Sequence, residues 1–340
     1  RPGSVSGEPM MLRPSLQPSL LLYVGRRLLQ AVPLIFVIIL INFFLIHAAP
    51  GDPVDFLVGT MEATPEYLER LRQEFGLDQP LWIQLWRYVS KIAVLDLGYS
   101  LRFRQPVFEL IMSRLPATLL LMGTALVVSS VAGILLGVAA ARRAYSATDH
   151  AATFVALAGY SMPVFWLGQL LLITFSLHLD WFPTQGMYDL RAPSDGWGRI
   201  VDVAHHLVLP ALTYSVYHLA LVYRLMRVKM QETLGLDYVT TARAKGVTES
   251  RVVYVHALRN AVLPIVTVIG LNFGFMLAGS VLTETVFAWP GMGRLLYEGI
   301  QGRDYPVLMG LFACLSVMVI GVNIITDVVY AVIDPRVVYR

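Results

Sequence analysis

Six stretches of this chain run for at least 21 residues without Asp, Glu, Lys or Arg: 28–51, 115–141, 150–179, 203–223, 260–283 and 305–326. No other charge-free stretch exceeds 12 residues. A hydrocarbon core about 30 Å thick takes roughly 20 apolar residues of helix to cross. Only helices and closed barrels satisfy their backbones inside lipid, and runs of this length read as helices. The expectation is an all-α integral membrane protein with six transmembrane helices. Composition agrees: 56% of the residues are hydrophobic and 14% charged, where a soluble domain carries about a quarter charged.

Six spans place both termini on one side. With that side taken as cytosolic, the inner segments hold 15 Lys and Arg against 6 acids, and the outer ones 11 against 16. The excess of Lys and Arg in short loops marks the cytosolic face. The net charge of +3 follows from this arrangement and does not argue for nucleic acid. Cys314 is the only cysteine, which excludes an intrachain disulfide or cysteine metal cluster.

The chain then divides into a disordered cytosolic tail (1–25), rich in Pro and Ser, a first span (26–49), an extracytoplasmic helical segment (50–114) and a core of five spans (115–336). A cytosolic loop at 230–262 interrupts that core. Asn42 and His47, polar residues in the first span, are expected to bond to neighbouring helices. In 50–114, Thr64-Pro65 reads as an N-cap with Pro at the first helical position, and Gly76 as the stop. A second amphipathic piece follows Pro80, with Trp82 and Trp86 suited to a membrane interface. Span two is expected from Pro116 to Ala141, with Gly133-x-x-x-Gly137 as a close-packing signal. Span three (151–178) should kink at Ser161-Met162-Pro163. Span four is placed at Leu207 to Tyr223, span five from Asn260 to Thr283 and span six from Tyr305 to Val332. Asp327 is expected near an interface, where it can reach water. Glu284 to Asp304 is too apolar for a free loop and too broken for a span, so it should fold back against the outer mouth. Asn272, Gly279, Glu284 and Trp289 are candidates for the solute path.

Chemistry is conspicuous by what is missing. The sequence has no G-x-x-x-x-G-K-[ST] phosphate loop and no H-E-x-x-H. His205 and His206 are adjacent, and successive helix positions do not share a face, so no metal site is expected. No array of intramembrane carboxylates and arginines suggests an ion-coupled carrier. A transporter without such chemistry needs an outside motor, and 237–264 looks built to meet one. Asp237 is expected to cap a short helix from Tyr238 to Lys245, with Gly246 stopping it. Thr248 should cap a second helix, Glu249 to Asn260, leading into span five. A motor-free channel or secondary carrier is the alternative.

Asp237-Tyr238-Val239-x-Thr241-Ala242-Arg243-Ala244-Lys245-Gly246, with His256-Ala257-Leu258-Arg259-Asn260 and Leu263-Pro264, resembles the coupling loop of bacterial ATP-binding-cassette import permeases. It is most similar to the dipeptide/oligopeptide/nickel permease family, first-permease type. Six more stretches agree in order: Ala49-Pro50-Gly51-Asp52-Pro53, Arg114-Leu115-Pro116-Ala117-Thr118, Pro163-x-Phe165-Trp166-Leu167-Gly168, Leu209-Pro210-Ala211-Leu212-Thr213, Glu284-Thr285-Val286-Phe287-x-Trp289-Pro290-Gly291 and Asp334-Pro335-Arg336. The likeness covers about 26–336. One departure stands out: where the broader family's loop begins Glu-Ala-Ala, this chain has Thr240, Thr241 and Ala242.

The resemblance implies a type I importer-like transmembrane domain in the bacterial cytoplasmic (inner) membrane. The chain would be a non-catalytic subunit with no cofactor of its own. It would pair with a second, homologous permease and with two cytosolic ATPases, which bind ATP and Mg and grip the coupling loop at Asp237–Gly246, His256, Arg259, Asn260 and Pro264. An extracytoplasmic binding protein would deliver substrate. Short peptides are the expected cargo, with nickel, glutathione and haem as alternatives within the family.

Overall fold

The computed structural model describes residues 18–48, 64–100, 102–191 and 195–333. The Ala49-Pro50-Gly51-Asp52-Pro53 and Asp334-Pro335-Arg336 stretches, and the first 17 residues of the expected tail, lie outside the described residues. Helix α1 (Pro18–Ala48) begins inside the segment expected to be disordered and carries Pro33 in its interior. Two shorter helices follow, α2 (Pro65–Phe75) and α3 (Leu81–Ala93). Thr64 is the N-cap of α2 by backbone geometry, and Gly76 ends it in the left-handed conformation at φ 68°, the region glycine enters without penalty. A two-residue ladder, β1 (Tyr99–Ser100) against β2 (Gln105–Pro106), leads into α4.

The long elements are α4 (Val107–Arg142), the bent pair α5 (Ala147–Ser161) and α6 (Val164–His178), and α7 (Trp197–Leu234). After the insert helices α8 (Asp237–Ala244) and α9 (Glu249–Ala261) come α10 (Leu263–Gly279), α11 (Val281–Val286), α12 (Met292–Gln301) and α13 (Tyr305–Ile333). Four helices are long and apolar enough to cross a membrane on their own, and the pairs α5–α6 and α9–α10 bring the total to six.

Helix ends depart from the charge-free windows. Helix α4 starts nine residues before Pro116, which sits in its interior, and α7 extends past both ends of the expected span, with Pro210 inside. Lack of charge marks the part of a helix in hydrocarbon, whereas hydrogen bonding carries the helix on into water. A proline in a helix interior forfeits one ladder bond; the first turns of α4 offset it by packing. Val107, Leu110 and Ile111 are fully buried against Met292, Leu295, Val307 and Leu311. Span three is broken rather than kinked. Met162 is extended (ψ 133°) before Pro163, and the two halves meet at 105°, as the restriction on a pre-proline residue favours.

Three apolar clusters follow α4 along its length. The first lies around Val107 and Leu110. The second joins Leu121 and Met122 to Tyr214, Met276 and Trp289. The third joins Val138 to Met226, Met230, Val253, Ala257 and Ile265. Lipid gives helices no hydrophobic reason to associate, so close backbone approach has to hold them. A Cβ on Gly133 would meet Val222 Cβ at 2.8 Å, and one on Gly137 would meet Met226 Cβ at 2.7 Å. The outward stripe of α4, Val127, Val131 and Leu135, is more than half exposed.

Candidate functional site

The insert begins where α7 stops at Gly235. Leu236 is extended (ψ 149°) and is the N-cap of α8, which places Asp237 in the first helical turn rather than at the cap. The carboxylate there favours the positive end of the helix dipole. Helix α8 ends in a Schellman turn: the Gly246 N–H bonds Arg243 C=O (2.9 Å) and the Val247 N–H bonds Ala242 C=O (3.2 Å). Gly246 takes φ 76°, and a Cβ there would meet nothing within 4 Å. The stop expected at Gly246 is present, and it faces open space.

One side of α8 is fixed. Val239 is fully buried. Asn260 Nδ2 donates to the Tyr238 hydroxyl (2.8 Å), which itself donates to His256 C=O (3.3 Å). Thr241 Oγ1 donates to Asp237 C=O (2.9 Å). Arg243 grips Glu249 with two nitrogens, Nη2–Oε1 at 2.8 Å and Nε–Oε2 at 3.1 Å, and its guanidinium holds the Glu249 carboxyl below its ordinary value. The structure thus brings Tyr238, His256 and Asn260 together. Thr240, Thr241, Ala244, Lys245 and Gly246 form an exposed polar face, with Arg259 and Pro264 exposed farther on and Ala242 half-buried.

Thr248 occupies the N-cap of α9 without a side-chain bond. The middle of α9, Val252–Ala257, is a widened π turn. Val252, Val253, Ala257 and Ala261 are buried, and the last three pack with Val138, Met226 and Met230 of α4 and α7. At Val262 the chain turns by 50° into α10. The second arm of the insert is therefore part of the bundle core, not a tether.

A second link at this end was not anticipated. Arg227 of α7 makes a bidentate pair with Asp149 at the start of α5, Nε–Oδ1 and Nη2–Oδ2 both 2.6 Å. The Tyr145 N–H adds a bond to Oδ2 (2.9 Å). The Asp149 side chain is buried, and the Arg227 guanidinium holds its carboxyl down to about 2. Ser146-x-x-Asp149 is the spacing of a capping box, the one signal that could have flagged it. Asp327 pairs with Arg27 of α1 (3.0 Å), in line with the interfacial placement.

At the opposite end of the bundle the short sequence stretches meet one another. Thr118 Oγ1 donates to Glu284 Oε1 (2.9 Å) and accepts from the Met292 N–H (2.7 Å). The Arg294 N–H donates to Glu284 Oε2 (2.9 Å), so the buried carboxylate caps α12. Trp289, also fully buried, donates from Nε1 to Ala117 C=O (2.8 Å). A Cβ on Gly168 would meet Phe287 Cε2 at 3.2 Å and Thr213 Cγ2 at 3.3 Å. Glu284 and Trp289, candidates for the solute path, are held in packing contacts in this structure. Asn272 donates to Val268 C=O within α10 (2.7 Å), and Gly279 ends that helix. His47 bonds Phe43 C=O and Gln84 of α3, a neighbouring helix, as expected. Among the described residues no group of three or more His, Cys, Asp or Glu could hold a metal.

Six candidate spans, an insert packed into the bundle and a segment folded back on it describe a multi-pass membrane protein. Residues 133–339 match the family described as "binding-protein-dependent transport system inner membrane component", and 20–122 match its N-terminal companion. The chain belongs to this family, the permeases of ATP-binding-cassette importers. It is 41% identical to the dipeptide transport system permease protein DppB of Escherichia coli K12, across 94% of this chain and 100% of that one. The di/tripeptide permease DppB of Pseudomonas aeruginosa is 41% identical over 94% and 99%. The glutathione permease GsiC of E. coli K12 is 40% identical over the same shares.

Proposed function

We propose that this chain is one translocation subunit of an ATP-driven importer of short peptides, with its termini and insert on the cytosolic side. The observation that carries the reading is the division of α8 and α9 into a fixed side and a free side. Tyr238 and the Arg243–Glu249 pair lock α8 to α9, which itself packs into the bundle, and Val239 is buried, while Thr240, Thr241, Ala244, Lys245 and Gly246 stay exposed. A rigid knob on a packed arm suits a groove on a soluble ATPase that changes shape as it binds and hydrolyses ATP. Two such ATPases, a second homologous permease and a substrate-binding protein complete the assembly. ATP and Mg belong to the ATPases, and this subunit makes and breaks no bond in the cargo. The cargo assignment rests on the relatives: dipeptides, di/tripeptides and glutathione are all small peptides.

Co-purification from the native membrane tests the assembly. A second permease and an ATPase should accompany the chain and be lost when 237–260 is replaced by a neutral linker. Exchange of Gly246 for Val strains the left-handed turn by about 1–2 kcal/mol and fills the open face, so it should cut transport while the chain still inserts. A chain that purifies alone and moves solute without ATP would make it a channel or carrier instead. Uptake of a labelled dipeptide into proteoliposomes holding the assembled complex and its binding protein tests the cargo.

A further inference from the structure

The α4–α5 corner holds a cavity of about 360 Å³ whose floor and rim differ in chemistry. Leu136 and Ala139 of α4 and Ala152 of α5 line its apolar part, and Arg142, Arg143 and Thr148 line its polar part. The floor is continuous with the outward stripe of α4, where Val131, Leu135 and Leu136 are 52%, 59% and 44% exposed. The rim lies where the charge-free stretch of α4 ends, at Ala141. That is the depth at which a helix leaves hydrocarbon for the headgroup layer.

Neither rim arginine is neutralised by an acid held against it. Among the described residues, no side-chain hydrogen bond or ion pair of Arg142 or Arg143 is found. The nearby acid, Asp149, is bound by both nitrogens of Arg227. Arg142 lies over the Tyr254 ring of α9 at 5.8 Å. It also contributes, at longer range, to lowering the Glu249 carboxyl. The rim also receives the N-terminus of α5, a 15-residue helix, whose dipole favours an anion.

We infer that this corner is a binding site for an anionic phospholipid, the phosphate of its headgroup against Arg142, Arg143 and Thr148 and an acyl chain along Leu136, Ala139 and Ala152. Two cations at the membrane interface attract anionic lipid, and a planar guanidinium matches phosphate geometry. The apolar floor opening on the bilayer distinguishes a lipid from a free phosphate, which has no use for it. Because Arg142 also touches Tyr254, an occupied site braces α9, the arm that carries the insert.

The test is lipid retention by the assembled complex in nanodiscs of mixed phosphatidylglycerol and phosphatidylcholine, read by native mass spectrometry after release. The complex should keep phosphatidylglycerol over phosphatidylcholine. The R142Q/R143Q variant should lose that preference at least fivefold, and R142K/R143K should keep most of it. A152F, which fills the floor without touching charge, should lose it too. Normal assembly and thermal stability of the variants show that folding is intact. No preference in the wild type, or a preference that R142Q/R143Q leaves unchanged, overturns the assignment. So does displacement of the lipid by millimolar inorganic phosphate, which makes the ligand a free anion. Retention by the isolated chain but not by the assembled complex also overturns it, since the corner would then be a subunit contact.

Discussion

Thr118 shows how much one hydroxyl can hold. It donates a hydrogen bond to Glu284 and accepts one from the Met292 N–H. Replacing it with Val keeps the shape and strands two buried groups, each costing about 1–3 kcal/mol. T118V should lower the thermal midpoint of the purified chain clearly, and T118S should restore most of it. Asp149 makes a pH-dependent prediction. Its carboxyl sits at about 2 against about 3.9 in an unfolded chain. A depressed carboxyl stabilises the fold above the unfolded value, and that contribution disappears as pH falls through the folded one. D149N should therefore cost about 3 kcal/mol at pH 7. The gap between variant and parent should start to close below about pH 5 and vanish only below about pH 2, as read by denaturation at each pH.

Among elements, the contact between α4 and α7 depends on the absence of side chains. A Cβ on Gly137 would stand 2.7 Å from Met226 Cβ and 2.9 Å from Tyr223 C=O, so leucine there has to push the helices apart. G137L should abolish monodisperse protein in detergent. Gly123, on the same helix, has nothing within 4 Å, so G123A should be neutral or gain about 1 kcal/mol of helix propensity. The Gly133-x-x-x-Gly137 spacing was readable in advance, as were the six spans, the Gly76 and Gly246 stops and the fold-back of 284–304. What was hidden depended on partners far off in sequence. Pro163 marks a weak point, but the 105° turn there follows from where each half finds packing. Arg227 reads as one more basic residue at a span end until Asp149, 78 positions earlier, is placed against it. The seven family-like stretches were visible as words. That Thr118 meets Glu284, that Trp289 meets Ala117, and that Gly168 sits beside Thr213 and Phe287 was not, because no periodicity links them.

For the whole molecule, the insert continues through α9 into α10 at a 50° bend. Val262 N–H still bonds Leu258 C=O, and Ile265 and Val266 both return to Val262 C=O, while Pro264 has no N–H to give. The ladder therefore has a joint between α9 and α10 that can flex without a hydrogen bond being torn. Helix α10 has 17 residues, about 25 Å of rod. A turn of about 10° at that joint would move its far end by about 4 Å. The missing hydrogen on one proline nitrogen leaves a pivot at Val262 between the two halves of the bent pair.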